Sequence, residues 1–517
     1  MKLAELSAER LNGALRGVEK ESLRVNADGT LALTPHPAAL GSALTHPHIT
    51  TDFSESQLEL ITGTHGNADA LLQELTEIHQ FVYRHIHGAA GSPELLWCAS
   101  MPCCLPADAE IPLGRYGKSN VGRAKTVYRS GLSYRYGRRM QAISGIHYNF
   151  SLPGVSNDEY FALIRNFRRR SWLLLYLFGA SPAVCSTFVE GRRHELQALS
   201  PRTLHAPHAT SLRMGRLGYQ SDAQSALSVS YNDLHTYTAS LYDALTKPYH
   251  EYEKIGIRED DPDSRDPAGG YRQLNTTLLQ IENEFYSTIR PKRRIRRGER
   301  PLHALRERGV EYVEVRLMDL DPFSGTGISA PTMRFLDVFL LACLVDPSPR
   351  DTPDEIAQVG RNQMRVATRG REPGLLLQRG KEDVELKTWA RELLAGCEPL
   401  AERLDRNAGG SAHRDSLAHA LRSLEDPAQL PSSRLLAAMA RNHANSYVRC
   451  VLALSLAHAG HLRGLPLGAQ AEQRFTHLAE ASLGEQRLIE AGDHLDFETF
   501  RQRYLSPELL KSDRRLA

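Results

Sequence analysis

Four short segments carry acids, a histidine and an arginine at the two-residue spacing of a β-strand. They are residues 17–24 with Glu19 and Glu21, 52–59 with Asp52 and Glu59, 145–150 with His147 and Asn149, and 311–316 with Glu314 and Arg316. Strand side chains alternate between faces, so Glu19 shares a face with Glu21, His147 with Asn149, and Glu314 with Arg316. Carboxylates gathered on one sheet repel one another unless cations lie between them. Magnesium holding a nucleotide phosphate is the economical solution, and it implies ATP-driven chemistry.

Each residue taken singly also has a plainer reading. Glu19 and Glu21 suit a charged edge strand that resists aggregation. His147 suits a hydrogen-bonded structural histidine, and Asp52 and Glu59 are ordinary surface types. Glu314 differs, because Val313 and Val315 give its strand a core face while Arg316 shares its own. An arginine there can pair with Glu314 or grip a carboxylate or phosphate bidentately. The basic run at 290–297 reads as a solvated surface with phosphate or nucleic acid as the alternative partner, but it lacks the interleaved aromatics of a single-strand binder.

Several motifs are absent: G-x-x-x-x-G-K-[ST], a G-x-G-x-x-G between strand and helix, G-x-S-x-G and H-E-x-x-H. A nucleotide held by this chain is therefore held by carboxylates, metal and arginines on a sheet, without a glycine cradle.

The elements that must position these residues are irregularly interspersed. Strands are expected at 17–25, 31–33, 49–53, 58–62, 142–152, 274–290 and 310–318, and helices at 3–15, 68–88, 158–177, 231–255 and 331–345. The apolar stretch 172–189 holds Pro182, so it reads as a buried helix, a turn and a buried strand rather than a membrane span. Residues 259–270 form an acidic loop by composition. From about Glu382 the chain is rich in Ala, Leu, Arg and Glu at helical spacing. Strands and helices do not alternate regularly. An α+β fold with a mainly antiparallel sheet follows, with flanking helices and a helical C-terminal region. It is expected as one unit of residues 1–517, divided into a sheet-bearing core, 1–376, and a helical region, 377–517.

Bulk properties narrow the class. The 517 residues carry 63 Lys and Arg against 61 Asp and Glu, a net charge of +2. That balance gives no global attraction to nucleic acid or acidic membranes. The seven cysteines are scattered without metal-binding spacing, which fits a reduced cytoplasm. The adjacent pair Cys103-Cys104 reads as structural, with redox activity as the alternative. The N-terminus has early acids and no apolar core, so no signal peptide is expected.

Six strings in order carry a family resemblance: Glu19-Lys20-Glu21-Ser22-Leu23-Arg24-Val25, Thr50-Thr51-Asp52-Phe53-Ser54-Glu55, Ser119-Asn120-Val121-Gly122-Arg123, Ser144-Gly145-Ile146-His147-Tyr148-Asn149-Phe150, Ile281-Glu282-Asn283-Glu284-Phe285-Tyr286 and Glu311-Tyr312-Val313-Glu314-Val315-Arg316. Together they resemble the bacterial glutamate–cysteine ligases of the type 1, proteobacterial branch, over about residues 16–376. The tail matches loosely, and the acidic loop is longer than usual.

The resemblance implies a fold like the glutamine synthetase and guanido kinase catalytic sheet. It implies ATP-dependent joining of the L-glutamate γ-carboxylate to the L-cysteine amine, the first step of glutathione synthesis. A related ligase with another amine acceptor is the alternative. By resemblance, the metal ligands are Glu19, Glu21, Asp52, Glu59, His147 and Glu314, holding magnesium or, alternatively, manganese. Glu314 and Arg316 are then catalytic, with Arg316 contacting phosphate and the reacting acyl group. A cysteine pocket maps onto Phe53, Tyr128, Leu132, Gln141, Ile143, Arg213, Tyr219 and Tyr286. The implied partners are L-glutamate, L-cysteine and ATP, with feedback by glutathione, no nucleic acid, no membrane and a monomeric state.

Overall fold

The computed structural model describes residues 3–511 except 89–90, 219–223, 225, 226, 228, 260–265 and 297. Five strands come first: β1 (Leu15–Val25), β2 (Ile49–Thr51), β3 (Gln57–Ile61), β4 (Leu95–Leu96) and β5 (Ile146–Ser151). A separate three-stranded sheet follows, β6 (Ala183–Cys185), β7 (Gln197–Ser200) and β8 (Thr203–His205). Strands β9 (Ile289–Lys292) and β10 (Tyr312–Met318) return to the main sheet, and β11 (Leu376–Arg379) with β12 (Glu382–Glu385) makes a hairpin.

The main sheet has the order β2-β3-β1-β5-β10-β9, with β4 also paired to β1, and every named pair in it is antiparallel. One face is apolar. Val18, Ile146, Tyr148, Phe150, Val313, Val315 and Leu317 are all buried there. Helix Ala68–His85 covers part of this face because Leu71, Leu75, Ile78 and Val82 recur along one of its sides. Its N-terminus is fixed by Asn67, whose side chain accepts from Ala70 N at 2.9 Å. Helices Asn157–Arg170 and Ala330–Val345 extend the layer.

This helical side also buries ionisable groups against polar partners. Arg16 Nε donates to Asp337 Oδ2 at 2.8 Å, and the Tyr148 hydroxyl donates to Asp337 Oδ1 at 2.8 Å. Lys20 Nζ lies 3.0 Å from His79 Nε2. Burial lowers Lys20 to about 7.

The opposite face carries the polar members of the same strands. It is roofed by helix Asn120–Tyr136, by residues 271–286 and by helix Phe497–Tyr504. A small second core, including Ala124, Val127, Tyr271, Leu274 and Phe497, holds this roof together. The C-terminal helices pack into the same continuous core as the sheet: Leu404, Leu435, Tyr447 and Leu462 belong to it along with Val18 and Phe150.

Several expected elements differ in the structure. The stretch 31–33 makes only a single bridge, Val25 to Leu31. The stretch 274–290 is largely irregular, with a strand only at Ile289–Lys292. Buried amides and carboxylates replace the ladder there. Gln280 Oε1 accepts from Leu274 N at 2.9 Å, and Glu284 Oε2 accepts from Gln280 N at 2.7 Å. Helix 158–177 is divided at Ser171, and 231–255 is divided into Leu234–Thr246 and His250–Ile255. Half of the acidic loop, 260–265, lies outside the described residues. The hairpin at 376–385 precedes the helical tail, which begins at Leu386. Residues 172–189 form helix Trp172–Phe178, β6 and a short helix at Ser186–Val189. Among the described residues, no helix is long and apolar enough to cross a membrane.

Candidate active site

The antiparallel register places the acids. Glu21 on β1 stands opposite Glu59 on β3, and Glu19 stands opposite His147 on β5. Asn149 stands opposite Glu314 on β10, which itself faces Arg290 on β9. Directly opposed residues share a sheet face, so one row of ionisable groups crosses five strands. The register of β5 and β10 shifts between Val315 and Met318, beside Arg316.

This row floors a cavity of about 750 Å³ that Glu19, Glu21, Asp52, Glu59, His147, Glu314 and Arg316 all line. Ligand atoms of Glu19, Glu59 and His147 lie within 4.8 Å of one another. Asn149 Nδ2 donates to Glu19 Oε1 at 2.9 Å, and His147 Nδ1 lies 3.1 Å from Glu19 Oε2. Burial raises the Glu19 carboxyl, but His147 and Lys292 outweigh it and leave Glu19 below its ordinary range. Burial and the Arg316 charge lower His147. A neutral imidazole facing an ionised carboxylate carries its proton on Nδ1, which leaves Nε2 as a lone pair. That Nε2 is buried without a hydrogen-bond partner, 3.8 Å from Glu21 Oε1.

The other acids divide by neighbour. Glu314 touches Lys292 Nζ at 3.3 Å and Arg316 Nη1 at 3.2 Å. Burial works to raise it, yet Lys292, Arg316, His147 and Arg290 hold it well below the carboxylate range. Glu21 accepts from Gly145 N at 2.7 Å. Burial and the charge of Asp52 nevertheless push Glu21 up to about 8. Burial and the charges of Glu19, Asp52 and Glu21 raise Glu59 well above its ordinary range. Protein cations thus serve the Glu314 end of the row, while the Glu21–Glu59 end is left proton-seeking.

That imbalance fits a divalent ion. The donor set is mainly carboxylate oxygen, which suits magnesium, and one imidazole nitrogen is a donor manganese accepts readily. The buried lone pair on His147 and the mutually repelling acids are what such an ion satisfies.

Of the residues matched to a cysteine pocket, Phe53, Tyr128, Leu132, Gln141, Ile143 and Tyr286 line the same cavity. Gln141 Nε2 donates to the Tyr286 hydroxyl at 2.7 Å. Arg213 is not among the lining residues. It is buried, donating Nη2 to the Arg316 carbonyl at 2.9 Å, and packs so closely on Gly145 that a Cβ there would sit 2.1 Å from Nη2. Its charge works to lower the Glu21 carboxyl, against burial. Tyr219 lies outside the described residues.

The cavity also holds residues that the sequence reading did not single out. Arg290 and Lys292 come from the basic run read as solvated surface, but they alternate on β9 and turn to Glu314. Their two-residue spacing was the available signal. Arg129 and Lys125 come from the roof helix. Arg129 donates Nε to the Asp52 carbonyl and stacks over Tyr116 at 4.5 Å. Burial and the Arg129 charge lower Lys125 to about 8. Phe500, Arg503 and Tyr504 reach the cavity from the C-terminal tail, whose helical pattern carried no sign of the site.

Comparison with known proteins identifies the architecture. A family model described as glutamate-cysteine ligase matches residues 2–366. Over 508 residues the chain is 48% identical to a glutamate–cysteine ligase of Pseudomonas fluorescens, covering 95% of this chain and 93% of that one. It is 49% identical over 511 residues to one from Azotobacter vinelandii, covering 95% and 94%. The solved structure of the Francisella tularensis glutamate–cysteine ligase in complex with AMP superposes with a TM-score of 0.88 at 38% identity, covering 95% of this chain and 97% of that chain. A bifunctional glutathione synthetase from Pasteurella multocida matches with a TM-score of 0.66 at 26% identity, covering 95% of this chain and 58% of that one. With its ionisable row, its roofed cavity and these relatives in agreement along nearly its whole length, the chain belongs to the glutamate–cysteine ligase family.

Proposed function

We infer that this chain joins the γ-carboxylate of L-glutamate to the amine of L-cysteine at the expense of ATP, giving γ-glutamylcysteine, ADP and phosphate. The single observation that carries the assignment of this chemistry to the cavity is the register-locked row from Glu59 to Arg290, with acids at one end and arginine and lysine at the other.

A carboxylate is a poor electrophile at neutral pH, so it must first be activated. Phosphoryl transfer from ATP to the γ-carboxylate gives an acyl phosphate. This step brings two anionic oxygens together, and positioned positive charge stabilises it. Glu19, Glu21, Asp52, Glu59, His147 and Glu314 would hold divalent magnesium or manganese. Such an ion supplies charge neutralisation of the phosphates when bound. Arg316, held by Glu314, is aimed to bind the transferred phosphoryl group, and Arg290 and Lys292 add charge beside it.

The cysteine amine then attacks the acyl carbon, the C–N bond forms and phosphate leaves. Phe53, Tyr128, Leu132 and Ile143 give an apolar wall of the size a thiol side chain needs, and the Gln141–Tyr286 pair gives it a polar edge. The roof over the cavity keeps water from the acyl phosphate. The seven cysteines are all unpaired, which suits a reducing cytoplasm.

The test is turnover by purified enzyme with ATP, magnesium, L-glutamate and a panel of amines: L-cysteine, L-2-aminobutyrate and glycine. One ADP per γ-glutamylcysteine, with cysteine preferred, is expected. Turnover with another amine but none with cysteine would overturn the acceptor assignment.

A further inference from the structure

A second cluster of ligand-type side chains lies outside the catalytic cavity. Cys103 and Cys104 precede the 3-10 turn Asp108–Glu110, and Cys185 ends β6. The three sulfurs lie within 4.8 Å of one another, and none is in a disulfide. Cys103 and Cys185 are buried, whereas Cys104 is half-buried and lines a surface groove with Leu31, Thr34 and Pro106.

Adjacent residues in extended chain point to opposite sides. Here Cys104 has a φ of +47°, one of only three such non-glycine residues among those described. This left-handed turn sets its thiol on the same side as that of Cys103, at a backbone cost of about 1 kcal/mol. Thr187 ties the two segments, accepting from Leu105 N at 3.3 Å and donating to Cys185 Sγ at 3.3 Å.

We propose that Cys103, Cys104 and Cys185 form a three-thiolate site for one thiophilic d10 metal ion, of the class of Cu(I), Zn(II) or Cd(II). Metal–sulfur bonds of about 2.3 Å in a trigonal site put the sulfurs about 4 Å apart, within the spacing seen. Soft thiolates select soft ions over the magnesium that oxygen ligands favour. Binding forms three metal–sulfur bonds, breaks the three S–H bonds and releases three protons to solvent, with no change of oxidation state. The Arg202 charge is within electrostatic reach of Cys104 and offsets the excess negative charge of three thiolates. The half-buried Cys104 gives the ion its entry from the groove.

The site is independent of the ligase reading, and its test is spectroscopic. Reduced full-length enzyme, with magnesium in excess, is titrated anaerobically with Cd(II) alone, and the near-ultraviolet sulfur-to-cadmium band is followed. The band is expected to saturate at one equivalent, and Cys104→Ser and Cys185→Ser are each expected to weaken binding at least tenfold. Cys104→Ser, at a half-buried position, keeps the test valid where Cys185→Ser does not fold, and retained ligase turnover reports folding. No stoichiometric band in the wild type, or the same saturation in Cys104→Ser, overturns the proposal.

Discussion

Glu21 and Glu59 are directly opposed across β1 and β3, two carboxylates side by side on the floor of the cavity. Like charges in this position oppose each other, and only one proton or one cation relieves both. Glu21 is pushed up to about 8 by burial and the neighbouring Asp52 charge, and Glu59 is raised by burial and by the charges of Glu19, Asp52 and Glu21.

This pair predicts how the metal-free enzyme responds to pH. A carboxyl raised in the folded state contributes stability fully below its unfolded value, and that contribution disappears as pH rises through the folded value. The protein stripped with chelator is expected to melt at lower temperature at pH 8.5 than at pH 6.5. Magnesium binds the deprotonated ligands, so its addition is expected to raise the midpoint more at pH 8.5. Differential scanning calorimetry with and without the ion checks both signs.

Glu314 is the hinge between the acids and the cations, within 3.3 Å of Lys292 and 3.2 Å of Arg316. Glu314→Gln keeps the shape but removes the charge that aims Arg316. A loss of about 10²–10³ in kcat is expected, of the order seen when one transition-state donor is removed. Steady-state ADP release with glutamate and cysteine measures it, and circular dichroism confirms the fold.

Two strands of this floor were legible because β5 and β10 place apolar residues on alternate positions, Ile146, Tyr148 and Phe150 on one and Val313, Val315 and Leu317 on the other. Their convergence was not, since register is a long-range property: nothing in residues 57–61 announces that Glu59 will face Glu21. Arg290 and Lys292 were hidden inside a basic run in which Arg293 and Arg294 lie beside Glu311. The segment 274–290 carries β-type residues, yet its buried Gln280 and Glu284 satisfy the backbone instead of a neighbouring strand. The C-terminal wall of the cavity came from a helical pattern that specifies packing but not what it packs against.

On the other face of the sheet, Asp337 accepts from both Arg16 and Tyr148 at 2.8 Å, and all three are buried. Asp337→Ala leaves a buried guanidinium without its partner, and a loss of about 3–5 kcal/mol in unfolding free energy is expected. The exposed pair Lys247–Asp243 at 2.7 Å is the contrast, where Asp243→Ala is expected to cost under about 0.5 kcal/mol. Urea unfolding of both variants makes the comparison.

The Gln141–Tyr286 contact of 2.7 Å predicts a selective effect on the amine acceptor. Tyr286→Phe removes one neutral hydrogen bond, about 1 kcal/mol, and is expected to raise KM for cysteine about fivefold. KM for ATP should stay unchanged, because the nucleotide phosphates are assigned to Arg290, Lys292 and Arg316 rather than to this hydroxyl. Initial rates at varied cysteine and varied ATP separate the two.

The central claim is that the γ-carboxylate is activated by phosphoryl transfer over this ionisable row. L-Glutamate labelled with oxygen-18 in its γ-carboxylate tests it, with mass analysis of the phosphate released as peptide forms. One labelled oxygen per phosphate is predicted, with release falling in step with kcat in Glu314→Gln. Peptide formation accompanied by unlabelled phosphate would contradict the account.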